Sequence, residues 1–332
     1  MSRARPHPPA RGSRMLTVGA GGLALAAVAS LVDGGGWLAQ LQAAAPLLGV
    51  LGILLAVVAG FRRRFVPALV TLVASLVTIV PVLTTPLDDV PHGSRTLSVL
   101  SVNTYIGEAD PARIIAEVDT RDVDVLVLPE MTDAFWQRLT AHGLRERLPH
   151  VTGRAGRGSG MVIATRQPAT CVDLPPGMTC GRVEPDRSAP GGVSRDAEGR
   201  PAFDQIVVDL PDGTRVKGVH LWSPRLSPTS RWRENQEEMA RWIAAQPADR
   251  RLVLAGDFNA GRSHPVFRGY GAGLDDSPRG GLPWTRTWPR WGPIPPFVQI
   301  DHVLARGWRA SESQTVSVPG SDHLGVWTLL TR

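Results

Sequence analysis

Three apolar stretches, 15–32, 38–61 and 66–84, follow one another at the start of the chain, and none contains a charged residue. Each is about 18 to 24 residues long, close to the roughly 20 that a helix needs to cross a bilayer core. A spanning segment that is not part of a closed barrel has to be helical, because lipid offers no partner for backbone N–H and C=O groups. The alternative, buried core helices of a soluble domain, would need a polar face that these stretches lack. The flanks set an orientation. Arg3, Arg5, Arg11 and Arg14 precede the first stretch and Arg62-Arg63-Arg64 separates the second from the third, whereas Asp33 and then Asp88-Asp89 mark the other two ends. Positive flanks stay cytoplasmic. The expected layout is a cytoplasmic basic leader at 1–14, a transmembrane region at 15–85 and a linker at 86–95. An extracytoplasmic domain at 96–332 completes it. Ala27-Val28-Ala29 also resembles a signal-peptidase site, and cleavage there would leave the large domain on the same face.

The net charge of +6 does not point to nucleic acid, because the seven arginines just named exceed it and the large domain holds no dense basic run. Lys217 is the only lysine. Cys171 and Cys180, the only two cysteines, flank the turn-rich Asp173-Leu174-Pro175-Pro176-Gly177, and an external location favours a disulfide between them.

From residue 96 onward, strand-like runs alternate with helical ones. Strands are expected at 96–104, 124–129, 160–165, 203–210, 214–221, near 252, and near 298–304, 313–318 and 323–330. Pro211-Asp212-Gly213 reads as a hairpin turn. Helices are expected at 111–121, at 132–142 and from Ser227-Pro228 to about Ala245. Residues 181–200 and the Gly/Pro/Trp-rich 260–296 read as loops.

Polar triplets stand at the ends of several of these runs. Gly256-Asp257-Phe258-Asn259 follows the apolar Leu252-Val253-Leu254-Ala255. Side chains two apart on an extended segment share a face, so Asp257 and Asn259 can reach one phosphate or one attacking water. Ile300-Asp301-His302 and Ser321-Asp322-His323 add carboxylate–imidazole pairs. The set suits hydrolysis of a phosphate ester or anhydride, which needs charge neutralisation and a positioned water. His302 neighbours Asp301 and faces the other way, so it is expected to be structural. Arg225 and Arg233 read as solvated.

In order along the chain, Asn103, Glu130, Val219-His220-Leu221, Gly256-Asp257-Phe258-Asn259, Ile300-Asp301-His302 and Ser321-Asp322-His323 resemble the motifs of the endonuclease/exonuclease/phosphatase superfamily. The resemblance covers roughly 96–330. It implies an α/β four-layer sandwich, two packed β-sheets flanked by helices, carrying a Mg²⁺-dependent hydrolase site, with Mn²⁺ as a possible substitute. On that resemblance Glu130 is the first metal ligand, with Asn103 and Asp322 completing or supporting the site. Asp257 orients or deprotonates water and Asn259 holds a phosphate oxygen. His323 is base or electrostatic stabiliser, with its tautomer fixed by Asp301. His220 assists the leaving group.

Three membrane segments before such a domain also resemble membrane-anchored teicoplanin-resistance proteins of the VanJ type. That likeness implies removal of a phosphate from undecaprenyl pyrophosphate at the outer membrane face, in support of glycopeptide resistance and acting on the cell-wall lipid cycle. Trp284, Trp288 and Trp291 suit either a lipid interface or an active-site wall. A phosphodiesterase, nuclease or sphingomyelinase-like, is the first rival, and a silent envelope-binding protein the second. The sequence indicates no protein partner.

Overall fold

The structure is a computed structural model, and it describes residues 11–83, 95–156, 160–185, 203–224, 231–277 and 285–332. The leader before residue 11, the linker up to residue 94, Trp284, Arg225, the expected helix start at Ser227-Pro228 and most of the 181–200 loop lie outside the described residues.

Three apolar helices come first: α1 Arg11–Ala29, α2 Trp37–Phe61 and α3 Phe65–Ile79, the last extended by a 3-10 turn Val80–Val82. Two of them, Trp37–Phe61 and Phe65–Val82, are long and apolar enough to cross a membrane. The expected third falls short, because its apolar part is Arg14–Ala29. At 1.5 Å per residue that spans only about 24 Å, against a hydrocarbon core of about 30 Å. The helices pack inside out relative to a soluble bundle. Small and polar residues form the seam: Gly49 meets Thr78 and Gly52 meets Ser75. Ser75 Oγ donates to the Thr71 carbonyl at 2.7 Å, so the buried hydroxyl is satisfied within its own helix. Leu51, Leu54 and Leu69 face outward with about 60% of their surface exposed. Seams of small residues with aliphatic exteriors characterise helix packing in lipid.

The remainder is a sandwich. One sheet contains β1 Thr96–Ser101, β2 Val125–Met131, β3 His150–Ala155, β4 Gly160–Thr165, β6 Val183–Pro185, β12 Arg309–Ser317 and β13 Leu324–Thr331, in the order β12-β13-β1-β2-β4-β3-β6. The other contains β5 Thr170–Asp173, β7 Ile206–Asp209, β8 Arg215–His220, β9 Leu252–Asp257, β10 Asp275–Ser277 and β11 Asp301–Arg306, in the order β10-β11-β9-β8-β7-β5. Both are mixed, with β1–β2 and β8–β9 parallel among antiparallel neighbours.

Alternate residues of the strands, among them Val99, Val127, Ile163, Val208, Val216, Val253 and Val303, bury one face of each sheet against the other. Helices α4 Pro111–Thr120, α5 Asp133–Ala141 and the short α6 Leu144–Arg147 cover the outer face of the first sheet. Helices α7 Arg231–Ala244 and α8 Pro265–Gly271 cover that of the second. The four-layer arrangement expected from the resemblance is present. The stretch 260–296, expected to be loop, contains α8 and β10: His264-Pro265 starts a helix, and β10 pairs with β11. Cys171 and Cys180 form a disulfide, with a Cα–Cα separation of 5.8 Å.

The helical hairpin is seated on the sandwich. Asp33 pairs with Arg233 at 2.9 Å. Gln40 Nε2 donates to the Pro224 carbonyl at 2.8 Å, and His264 Nε2 donates to that of Ala39 at 3.0 Å. His264 Nδ1 accepts from the Gly261 N–H, which fixes this tautomer. Burial pushes the imidazole down to about 4, so it is neutral near pH 7.

Candidate active site

Strand register gathers the polar triplets into one row. In the second sheet His220 is the register partner of Asp257, and Asp257 is that of Asp301. Three segments distant in sequence therefore meet side by side. Each side chain continues an inward-facing series: Val253, Ala255 and Asp257 on β9, and Asp301, Val303 and Ala305 on β11. The β8 and β9 backbones approach closely at Gly256, which has φ 146°, and a side chain there would strike the Val219 carbonyl. The first sheet brings Asn103 and Glu130 to the same end, and His323 lies just before β13.

Glu130 owes its position to a β-bulge. Pro129 pairs with Met161 and Met131 with Gly160, so Glu130 has no ladder partner. Its φ is 60°, uncommon for a residue with a side chain. The bulge re-aims the carboxylate into the cleft. There Oε1 accepts from Asn103 Nδ2 at 3.1 Å and Oε2 from the Ile106 N–H at 3.0 Å. Burial raises the Glu130 pKa, opposed by the bond from Asn103.

Asp257 is the hub and is 2% exposed. Its Oδ1 accepts the Asn259 N–H at 2.8 Å, and its Oδ2 accepts Asn259 Nδ2 at 3.1 Å and Asn103 Nδ2 at 3.3 Å. Burial, and then the Asp301 charge, raise its pKa well above the usual aspartate range. Such a carboxylate is suited to accept a proton from water.

The two amides act as braces. Asn103 links two carboxylates through Nδ2, while its Oδ1 accepts the Tyr105 N–H. Asn259, expected to hold a phosphate oxygen, directs its NH₂ group to Asp257 and the Leu221 carbonyl. Its side-chain nitrogen is therefore engaged in holding Asp257.

His323 Nδ1 donates to Asp301 Oδ2 at 2.8 Å. Its Nε2 faces Asp322 Oδ1 at 3.7 Å and Asp257 Oδ2 at 4.0 Å. Burial opposes the charged ring, but Asp301, Asp257 and Asp322 together outweigh it and push the pKa up to about 10. The imidazolium is thus the resting form, which fits a stabiliser of phosphoryl charge. His220 behaves oppositely. Burial, helped by the His323 charge, takes it down to about 3. This neutral ring stacks on Phe203 with centroids 3.9 Å apart, and its Nε2 lies 3.8 Å from Glu130 Oε1.

Glu130, His220 and Asp257 offer ligand atoms within 4.8 Å of one another, as do Asp257, Asp301 and His323. Asp322 Oδ1 and His220 Nδ1 are buried without a hydrogen-bond partner among the described residues. Clustered oxygen donors with unsatisfied capacity fit a hard divalent cation.

Thr287 carries no sequence signal of its own. Thr287 Oγ1 accepts from the Ile300 and Asp301 N–H groups at 3.1 and 3.2 Å. Ser321 Oγ donates to the Asn103 carbonyl and accepts the His323 N–H, a role that its place in the Ser-Asp-His triplet hints at. His302, expected to be structural, is fully buried outside this row. Trp288 lines the cleft and its Nε1 donates to Asp322 Oδ2 at 3.4 Å, whereas Trp291 is half exposed.

Residues 100–323 match the sequence profile described as the Endonuclease/Exonuclease/phosphatase family. The chain belongs to that family. Its members are metal-dependent hydrolases of phosphoester bonds. No curated protein sequence is similar enough to stand as a relative. Among solved structures, the chain is similar to D. rerio TDP2 complexed with single-strand DNA product. That match has 16% identity and a TM-score of 0.50, and covers 71% of this chain and 99% of that one. It is also similar to a Staphylococcus aureus beta toxin mutant with bound magnesium ions, at 13% identity and a TM-score of 0.50, covering 70% and 99%. At these identities the likeness is one of fold.

Proposed function

We propose that the protein is a Mg²⁺-dependent phosphohydrolase of a membrane-borne lipid pyrophosphate, undecaprenyl pyrophosphate being the first candidate, with its catalytic domain on the outer face. The observation that carries this reading is the composition of the cleft. Acidic and imidazole groups occupy one end, and Ile106, Phe203, Trp288, Phe297, Val298 and Ile300 line the rest, with no lysine or arginine among the described lining residues. A nucleic-acid groove would need cations along a backbone track. A lipid headgroup needs a charged end and an apolar approach.

Glu130, braced by Asn103, would hold the ion, with His220 and Asp322 beside it. When bound, the ion would neutralise charge on the phosphates. Asp257, with its raised pKa, accepts the proton of the attacking water. His323, protonated and fixed by Asp301, stabilises the charge that develops on the phosphoryl oxygens. Sidedness follows from the arginine flanks, and the sandwich is seated at the end of α2 opposite Arg62-Arg63-Arg64. A lipid-carrier phosphatase placed there would act on the cell-wall cycle, which links this reading to glycopeptide resistance.

The test is phosphate release by purified full-length protein from undecaprenyl pyrophosphate with Mg²⁺ or Mn²⁺. We expect turnover that vanishes in excess chelator and is lost in Glu130→Ala. Rapid cleavage of DNA or phospholipid with the pyrophosphate left intact would replace this reading with a phosphodiesterase. Full activity in chelator would overturn the metal-dependent mechanism.

A further inference from the structure

The cleft is larger than its chemistry requires. It is a cavity of about 690 Å³, with the carboxylates at one end only. One wall of this cavity does not belong to the sandwich: it is made by Gln40, Ala43 and Ala44 of α2. Positions i, i+3 and i+4 lie on one face of a helix, so the three form a continuous strip. The same cavity is bounded elsewhere by Glu130, Asp257 and His323. An apolar helix and a charged catalytic row thus border one space.

The strip is held in place from both sides. Ala39, fully buried, belongs to the same apolar cluster as Trp232, Phe258 and Phe267 of the sandwich. The His264–Ala39, Gln40–Pro224 and Arg268–Ser30 hydrogen bonds fix the end of the hairpin on the catalytic domain. The residues that face the cavity after this anchor are two alanines, which leave room that larger side chains would fill. Further along, α2 presents Leu51 and Leu54 on its exposed surface. An apolar chain leaving the cavity along this helix stays on apolar surface in the direction of the bilayer.

Resting on the lipid-pyrophosphate reading above, we propose that Gln40, Ala43 and Ala44 form the binding wall for the first segment of the substrate's hydrocarbon tail. The anchor helix then does more than tether the domain: it is half of the substrate site. The occupant is a single prenyl or alkyl chain attached to the phosphates, because the charged end admits the headgroup and the helix strip begins beside it.

The two cysteines of the chain are joined to each other, so Ala44→Cys introduces the only thiol. The experiment measures alkylation of that thiol in full-length protein in detergent, with farnesyl phosphate, with inorganic pyrophosphate, and with neither. Farnesyl phosphate at about ten times its Kd should slow alkylation roughly tenfold, and inorganic pyrophosphate should not. Ala43→Cys provides a second position with the same expectation. Equal alkylation with and without farnesyl phosphate at both positions overturns the tail wall, as does equal protection by inorganic pyrophosphate. The two readings fail separately. A wild-type protein that hydrolyses prenyl pyrophosphate but shows no protection keeps its function and loses this wall. A wild-type protein that leaves prenyl pyrophosphate intact loses the function on which the wall rests.

Discussion

His323 and His302 lie in the same half of the molecule, both buried and both with Nδ1 2.8 Å from an aspartate oxygen: Asp301 for His323 and Asp276 for His302. They differ at the other ring nitrogen. His323 Nε2 opens toward Asp257 and Asp322 at the cleft. His302 Nε2 lies 3.0 Å from the Ala260 carbonyl, and its ring packs against Phe258 and Phe267. The neighbouring positions 301 and 302 on one strand supply both pairs, one residue to each face. A buried Asp–His pair is therefore not in itself a mark of catalysis. What separates the two is whether the second nitrogen is committed to the scaffold or left facing the cleft.

The largest difference should appear in turnover. His323→Ala is expected to lower kcat/KM on the order of a thousandfold or more, because both an oriented ring and its charge are removed. Asp301→Ala should be comparably severe. The double variant should be little worse than His323→Ala, because residues that act as a unit are non-additive. Penalties that multiply would show that Asp301 does not act through His323.

Stability should separate the pairs in the opposite sense. Asp276 is 4% exposed, and its Oδ2 also accepts from Arg262 Nε at 2.6 Å. Asp276→Ala leaves these partners uncompensated and should cost about 3 kcal/mol in denaturant unfolding. Activity per folded molecule should change far less than in the His323 series. Burial raises the Asp276 pKa, but His302 and Arg262 outweigh it, and the net shift is below the ordinary 3.8. A depressed carboxylate contributes stability above its unfolded pKa and loses it as pH falls through its folded pKa. The wild-type protein should therefore lose stability more steeply than Asp276→Ala as pH falls below about 4. Parallel acid limbs would show that the pair is not a stabilising element.

A buried lysine on the second sheet sharpens the contrast with the smallest effect. Lys217 is 7% exposed, its ammonium 4.6 Å from the centre of the Trp242 ring. Burial takes its pKa down to about 8 despite the attraction of Asp173. Between about 8 and the unfolded value of about 10.4 the unfolded chain binds more protons, so stability should rise with pH in that window. Lys217→Met should stabilise by about 1–3 kcal/mol near pH 7 and abolish the rise. Destabilisation instead would mean that the ring contact outweighs the cost of burying the charge.

Much of this site could be read from the chain. Triplets after apolar runs fall at strand ends, and register does the rest: Leu252-Val253-Leu254-Ala255 carries Asp257 to the row that Asp301 also joins. Period-two alternation correctly separated His302 from Asp301. What escaped is what tertiary contact decides. Helix α8 and strand β10 lie in a stretch whose glycines and prolines read as loop, and α8 is held by packing of Phe267 and Tyr270. The α2 strip looked like any part of a spanning helix, because Ala43 and Ala44 gain meaning only from what faces them. The first apolar stretch satisfied a residue count, while its helix provides too little apolar length.

The bulge at Glu130 sets the backbone and the chemistry at odds. A left-handed residue that carries a side chain holds strain of about 1 kcal/mol that glycine would relieve. Since the position pairs with nothing in the ladder, removing its acid costs no strand hydrogen bond, only the two that the carboxylate accepts from Asn103 and the Ile106 N–H. A search for more robust versions of this protein would thus tend to reward the change that inactivates it. Thermal resilience and hydrolytic activity have to be screened together, or the first will be improved at the expense of the second.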